Sequence, residues 1–470
     1  MEGDLEVRLD IADGVVVAAE VTAPLYRGFE QILADRPPLD ALAIAPRICG
    51  ICSVSQSMAA AAALRAAAGI EPARNGVLAA NLAHAAENVA DHLTHFYLFF
   101  MPDFARSAYA ARPWAARAAV RFAAVTGSAA AEMLPARARL LEIMGLLAGK
   151  WPHSLAFQPG GTTRAIDLGE RIRLLAIIAD AQAFLERVVF GDRLDSVLAL
   201  RDAAGLDAWR EGREGDFPAF LRIADDLDLA RLGRGQAGLM SFGAYHAPDG
   251  PLFAAGRLDP ATLTTTALDP GAITEDVRHA WMQDTAPLPL LAETVPDADK
   301  PGAYSWCKAP RIAGHPAEVG ALARQAVDGQ PLVRDLLARE GATVRTRVIA
   351  RLIETARLLP AMRVWAQALR PGEPFLAGGS AGFDQGIGVG LVEAARGSLG
   401  HWLDCADGRI RRYQIIAPTT WNFSPRDAAG VPGPLEAALA GTEVGALGGQ
   451  APAIQHVVRS YDPCMVCTAH

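Results

Sequence analysis

The sequence predicts a mainly α fold with small β elements (α+β), built as a long central helix bundle with an N-terminal β-hairpin. Three observations carry this prediction. Leu5, Val7, Leu9 and Ile11 alternate with polar residues before an Asp13-Gly14 turn, after which the apolar text of 15–21 returns. Residues 55–147 are alanine-rich text of high helical propensity. Two Cys-x-x-Cys pairs, Cys49-Gly50-Ile51-Cys52 and Cys464-Met465-Val466-Cys467, stand near opposite ends of the chain and suggest one metal site drawing both ends into a common core.

Taken in order, Leu5, Val7, Leu9 and Ile11 form the first hairpin strand, and residues 15–21 return beside it. Pro37-Pro38 marks a loop before the first cysteine pair. Long helices are expected over 73–101 and 113–147, and further helical periodicity covers 166–190, 216–228, 316–338 and 342–369. Gly and Pro cluster at 243–302 and 371–387, where irregular loops and short strands are expected. After Tyr413 the text reads as coil with one short helix near 435–439. There is no internal repeat and no low-complexity linker. A chain whose ends share a metal is hard to divide, so residues 1–470 are expected to form a single domain.

Composition removes several function classes. A formal charge of −8, with no basic run carrying interleaved aromatics, argues against nucleic acid as a partner. No run of about 18 apolar residues escapes interruption by a charge, so no direct membrane insertion is expected. The text holds no secretory apolar segment and no twin-arginine leader, although a subunit can be exported on a partner's signal. Six cysteines, four of them in metal-like pairs, fit a reducing compartment, and a cytoplasmic location is expected. Cys307 and Cys405 are left over and read as inert buried thiols.

The cysteines decide the chemistry. Four soft thiolates in two paired spacings make a complete shell for Ni, Fe, Zn or Cu. Structural zinc is the plain reading, since four thiolates close a tetrahedron. Two features speak against it: zinc ribbons pair their motifs within a few tens of residues, and a small structural site needs no scaffold of 470 residues. Arg47 and Asp462 each lie two positions from a cysteine, and charges beside thiolates suggest a reactive centre. Spacing alone makes the final His470 a further soft-metal ligand.

Arg47-Ile48-Cys49-Gly50-Ile51-Cys52 and Asp462-Pro463-Cys464-Met465-Val466-Cys467-Thr468-Ala469-His470 resemble the two signatures of the large subunit of nickel-iron hydrogenases. The likeness spans nearly the whole chain. Tyr26-Arg27-Gly28-Phe29-Glu30, Asp91-His92-Leu93-Thr94-His95-Phe96-Tyr97, Tyr304-Ser305-Trp306, Lys308-Ala309-Pro310-Arg311 and Pro418-Thr419-Thr420-Trp421-Asn422 resemble family blocks in the expected order.

The resemblance implies a nickel-iron hydrogenase large-subunit fold and a Ni-Fe centre whose iron carries cyanide and carbonyl, Fe(CN)2(CO). Cys49 and Cys464 would be terminal on nickel, and Cys52 and Cys467 would bridge the metals. Cys464 would take the proton when dihydrogen is split. Arg396, in Glu393-Ala394-Ala395-Arg396-Gly397, resembles the arginine that hangs over the iron ligands, where a fixed guanidinium polarises bound dihydrogen. The family usually has proline before it; Ala395 departs from that. Pro418 and Thr419 would line the same pocket, with Asp91 and Asp462 beside Arg396 and the cysteines. The resemblance moves His470 away from nickel and iron, to a magnesium (or another divalent cation) shared with Glu30 and the carbonyl of Ile415. Glu2 matches a proton-relaying glutamate. Because it follows Met1, where chains fray, an upstream start of the gene product is expected.

The two leftover cysteines cannot hold an iron–sulfur cluster, so an obligate iron–sulfur small subunit is implied. Ile51 and Phe99 match gas-channel positions where uptake enzymes carry the smaller valine and leucine. With the text Cys49 to Ser57 and a chain that stops at His470, they point to the dihydrogen-sensing branch. The expected protein is therefore a slow, oxygen-tolerant sensor hydrogenase. It would work as a dimer of heterodimers that signals to a histidine kinase. The alternatives are a respiratory uptake hydrogenase feeding quinone and a cofactor-free scaffold like the related subunit of complex I. The four intact cysteines argue against the scaffold.

Overall fold

A computed structural model describes residues 4–247, 250–378 and 382–468. The hairpin pairs Glu6–Ala12 with Val15–Thr22, and Asp13 and Gly14 both take the left-handed conformation that such a tight turn requires. Val16, Ala19 and Val21 of its second strand are buried in the main core.

Four long helices build the bundle. Arg74–Thr94, Ser128–Ala148, Leu168–Phe184 and Val344–Ala368 pack each on the next, and the last closes back on the first. Two of them start at capping boxes, Asp167 with Glu170 and Thr343 with Thr346. The expected helix over 73–101 is observed as Arg74–Thr94 continued by a wider, π-type turn at His95–Phe100.

Two expected helices are broken in the structure. The stretch 113–147 is Ala115–Phe122 and Ser128–Ala148, separated by a turn in which Val125 takes φ 70° and Gly127 N–H bonds Ala123 O. The stretch 316–338 contains Ala321–Val327 and Pro331–Glu340. Gly329, at φ 79°, turns the chain between them, and the Gln330 side chain caps the second. In the glycine-rich stretch after 237, Gly238–Ala247 and Gly250–Leu258 form a longer ladder than expected. Among the described residues after Tyr413 are the α-helices Pro418–Asn422, Pro434–Leu439 and Pro452–Ser460, each with Pro at its first position.

The helix Ser53–Ala68 begins directly after the first cysteine pair and is covered by a three-stranded antiparallel sheet, Gly386–Ala394, Gly397–Ala406 and Arg409–Ile416. The approach is close because Gly388 and Gly390 carry no Cβ: a methyl there would collide with the carbonyls of Ala63 and Ala59. Cys49, Cys52, Cys464 and Cys467 belong to the same buried cluster as Leu399, Leu403 and Ile415, apart from the bundle core. No helix among the described residues is long and apolar enough to cross a membrane.

Candidate metal centre

Both ends of the chain deliver their cysteines to one point. Cys49 follows a 3-10 turn, Ala45–Ile48, in extended conformation, and Cys52 sits at the cap of the helix Ser53–Ala68. Cys464 and Cys467 lie on the terminal turn, closed by Cys467 N–H to Cys464 O at 2.9 Å. The sulfurs pair across the chain, Cys49 with Cys464 at 3.4 Å and Cys52 with Cys467 at 3.5 Å, while Cys467 and Cys464 stand 3.0 Å apart. All four lie within 4.8 Å of one another, buried and free of disulfides.

This donor set fits a soft metal centre. Hydrogen bonds from Cys464, Cys467 and Cys52 hold the Cys49 sulfur well below the usual thiol range. The same sharing pushes Cys52 and Cys467 well above it. Four ionised sulfurs in this volume repel one another unless cations stand between them, which is the role nickel and iron would fill. By contrast, burial raises Cys405 to about 11 and Cys307 higher still, so both remain inert thiols.

A ring of buried polar contacts fixes the second pair. Thr419 Oγ1 accepts the Cys464 N–H at 3.1 Å, from a short helix that Pro418 starts. Arg396 donates to the Asp462 carbonyl at 3.0 Å and carboxylate at 3.2 Å, and forks onto both oxygens of Asp91. Burial alone would weaken the Arg396 charge, but Asp462 and Asp91 outweigh it and hold the guanidinium well above its usual value. Burial likewise opposes ionisation of Asp462, and Arg396 reverses this and keeps the carboxyl below its usual range. Burial pushes Asp91 up to about 6 against the pull of Arg396. Behind them, His92 bonds Glu354 at 3.0 Å, and Arg324 bridges Glu354 and Glu393 at 2.7 and 2.8 Å. His95 Nε2 bonds the carbonyl of Arg459 at 2.7 Å. The Asp91-His92…His95 block thus serves three separate anchors.

The first pair is held from its helix. Glu87 accepts from Val54 N, Ser55 N, Ser55 Oγ and Trp151 Nε1 at 2.9–3.0 Å, and so caps the helix that follows Cys52 from a neighbouring element. Sequence reasoning gave Glu87 no role, although it lies one turn before Asp91 on the same helix.

The remaining site residues fall in three places. Glu30 is buried and accepts the Ile415 N–H at 2.9 Å and the Thr294 hydroxyl. Lys308 lies 3.5 Å from Glu30, 2.9 Å from Glu275 and 2.7 Å from Gln414 Oε1. Arg47 is exposed and donates to Ala43 O, away from the cysteines. Arg27 stands there instead, donating to the carbonyls of Ile48 at 2.7 Å and of Val466. Ile51 and Phe99 are 39% and 47% exposed, so neither is packed into this chain's core. Glu2 and His470 lie outside the described residues.

The comparisons with known proteins agree with this geometry. The family model described as nickel-dependent hydrogenase matches residues 27–133 and 128–470. The periplasmic [NiFeSe] hydrogenase large subunit of Desulfomicrobium baculatum is 29% identical, over 100% of this chain and 93% of its own length. The hydrogenase-2 large chain of Escherichia coli (strain K12) is 26% identical over 100% and 95%. The quinone-reactive Ni/Fe-hydrogenase large chain of Wolinella succinogenes is 28% identical over 100% and 94%. A crystal structure of the reduced, active Ni-Fe-Se hydrogenase from Desulfomicrobium baculatum superimposes with a TM-score of 0.85 at 28% identity, covering 100% of this chain and 98% of that one. The chain belongs to the nickel-dependent hydrogenases, as a large subunit.

Proposed function

We propose that this subunit oxidises dihydrogen in an uptake-type hydrogenase and hands the electrons to an iron–sulfur small subunit. The observation that carries the reading is four buried thiols from both chain ends beside the paired guanidinium of Arg396. The relatives are named as uptake and quinone-reactive hydrogenases, which favours this role over the expected sensor. When bound, a nickel–iron centre with Fe(CN)2(CO) supplies heterolytic cleavage of dihydrogen.

In this reading the four sulfurs would hold the nickel–iron centre, with Cys49 and Cys464 on nickel and Cys52 and Cys467 serving both metals. The Cys464 sulfur accepts the proton, which Glu2 then relays. Arg396, fixed by Asp91 and Asp462, holds positive charge beside Cys464 and Cys52 without having to reorganise. Pro418 and Thr419 line the pocket. Glu30, the carbonyl of Ile415 and His470 would hold magnesium. The pocket suits a hard cation because Glu30 and Glu275 share one ammonium, and Glu275 Oε1 is buried with no hydrogen-bond partner. The single domain and cytoplasmic location belong to the same proposal. Cys464→Ser tests it: dihydrogen/deuterium exchange should vanish, and full exchange in the variant would remove the proton-accepting sulfur.

Ile51, directly beside Cys52, and Phe99 favour a second reading. In it, their bulk narrows the gas path of an oxygen-tolerant sensor that works as a dimer of heterodimers with a histidine kinase. Ile51→Val with Phe99→Leu should then raise oxygen inhibition; an unchanged oxygen response removes this reading.

A further inference from the structure

One side chain joins the two cysteine loops directly. Arg27 Nη2 donates to the carbonyl of Ile48, the residue before Cys49, at 2.7 Å. The same nitrogen donates to the carbonyl of Val466, the residue before Cys467. Its guanidinium lies over the Phe29 ring, 4.7 Å from the centroid. Gly28, at φ 66°, then turns the chain into the helix Phe29–Leu33, which carries Glu30 to Ile415 and Lys308.

The charge is as well placed as the hydrogen bonds. Burial lowers the Arg27 value below its ordinary one, and the sulfurs of Cys467, Cys49, Cys464 and Cys52 oppose this in part. Two guanidinia, Arg27 and Arg396, therefore lie close enough to the thiol cluster to interact with its charge. Arg396 binds carboxylates, whereas the Arg27 bonds to Ile48 and Val466 reach neutral carbonyls. Those carbonyls belong to the peptides that lead into two of the metal-binding cysteines.

We propose that Arg27 is a positioning residue that fastens the Cys49 and Cys467 loops to each other and adds positive charge to the sulfur cluster. In its absence the terminal turn would still be held by Thr419 and Arg396, but the hydrogen-bonded tie between the backbones at Ile48 and Val466 would be lost.

The test compares Arg27→Gln and Arg27→Lys with wild type, each purified with its small subunit. Nickel retained after dialysis against a chelator should fall about tenfold in Arg27→Gln, as for other residues that orient metal ligands. The iron–carbonyl infrared band should move to lower frequency, because losing a positive charge leaves the sulfurs more electron-donating. Arg27→Lys keeps the charge and should bring the band back, a rescue that a purely structural role would not give. Wild-type nickel retention in Arg27→Gln overturns the fastening role, and an unmoved band overturns the charge. Where Arg27→Gln does not accumulate, Arg27→Lys carries the nickel arm: its shorter reach predicts retention below wild type, and full retention overturns the fastening. The infrared arm rests on the iron ligands proposed above and the nickel arm does not, so the two ideas can fail separately.

Discussion

The two halves of the sulfur cluster are built in different ways. Cys49 and Cys52 open a 16-residue helix whose first amides are capped by Glu87 and whose flank is sealed by a glycine strand. Cys464 and Cys467 ride on a single terminal turn, held by Thr419, by Asp462 through Arg396, and by Arg27. The first pair is positioned by packing and the second by charge.

The comparison predicts unequal responses. The largest belongs to the charged half. Arg396→Leu leaves Asp91 and Asp462 buried without their cation, at a cost of about 3–5 kcal/mol, and hydrogen exchange should rise at 464–468 while the helix Ser53–Ala68 stays protected. Equal loss of protection in both would break the distinction.

A smaller effect is expected from the packed half. Burial pushes the Glu87 carboxyl up to about 7, from an ordinary 4.5. The folded chain then holds this proton more tightly than the unfolded chain does. The stabilisation is complete below pH 4.5 and is lost as pH rises to about 7, by roughly 3 kcal/mol in all. Urea denaturation between pH 4.5 and 8 should show the fall in wild type and a flatter profile in Glu87→Gln. Parallel profiles would mean that Glu87 is not the titrating cap.

The meeting of the two cysteine pairs was legible in the sequence because thiols at that spacing have few other uses; Glu30 and Ile415 were linked only by the family resemblance, and the contact observed is from the Ile415 N–H. Arg47, two residues from Cys49 in the sequence, turns to Ala43, whereas Arg27, far upstream, reaches Ile48 and Val466. Nearness along the chain says little about which guanidinium folds toward a site. No element was expected at Gly388 and Gly390, just past the glycine-rich stretch 371–387, because glycine usually breaks structure, whereas here the missing Cβ atoms let a strand lie on Ala59 and Ala63. The helix break at Val125 also escaped notice, since only Thr126-Gly127 hints at it and the flanking text favours helix. Pro452 offered a start signal for the last helix that went unused.

The central claim is that four sulfurs from the two ends of the chain hold a nickel–iron pair. Metal analysis of the purified heterodimer, read together with its infrared spectrum, tests it most directly. The account predicts nickel in an amount equal to the heterodimer, no zinc at the four sulfurs, and cyanide and carbonyl bands present. Zinc filling the four-thiol site, with those bands absent, would contradict it.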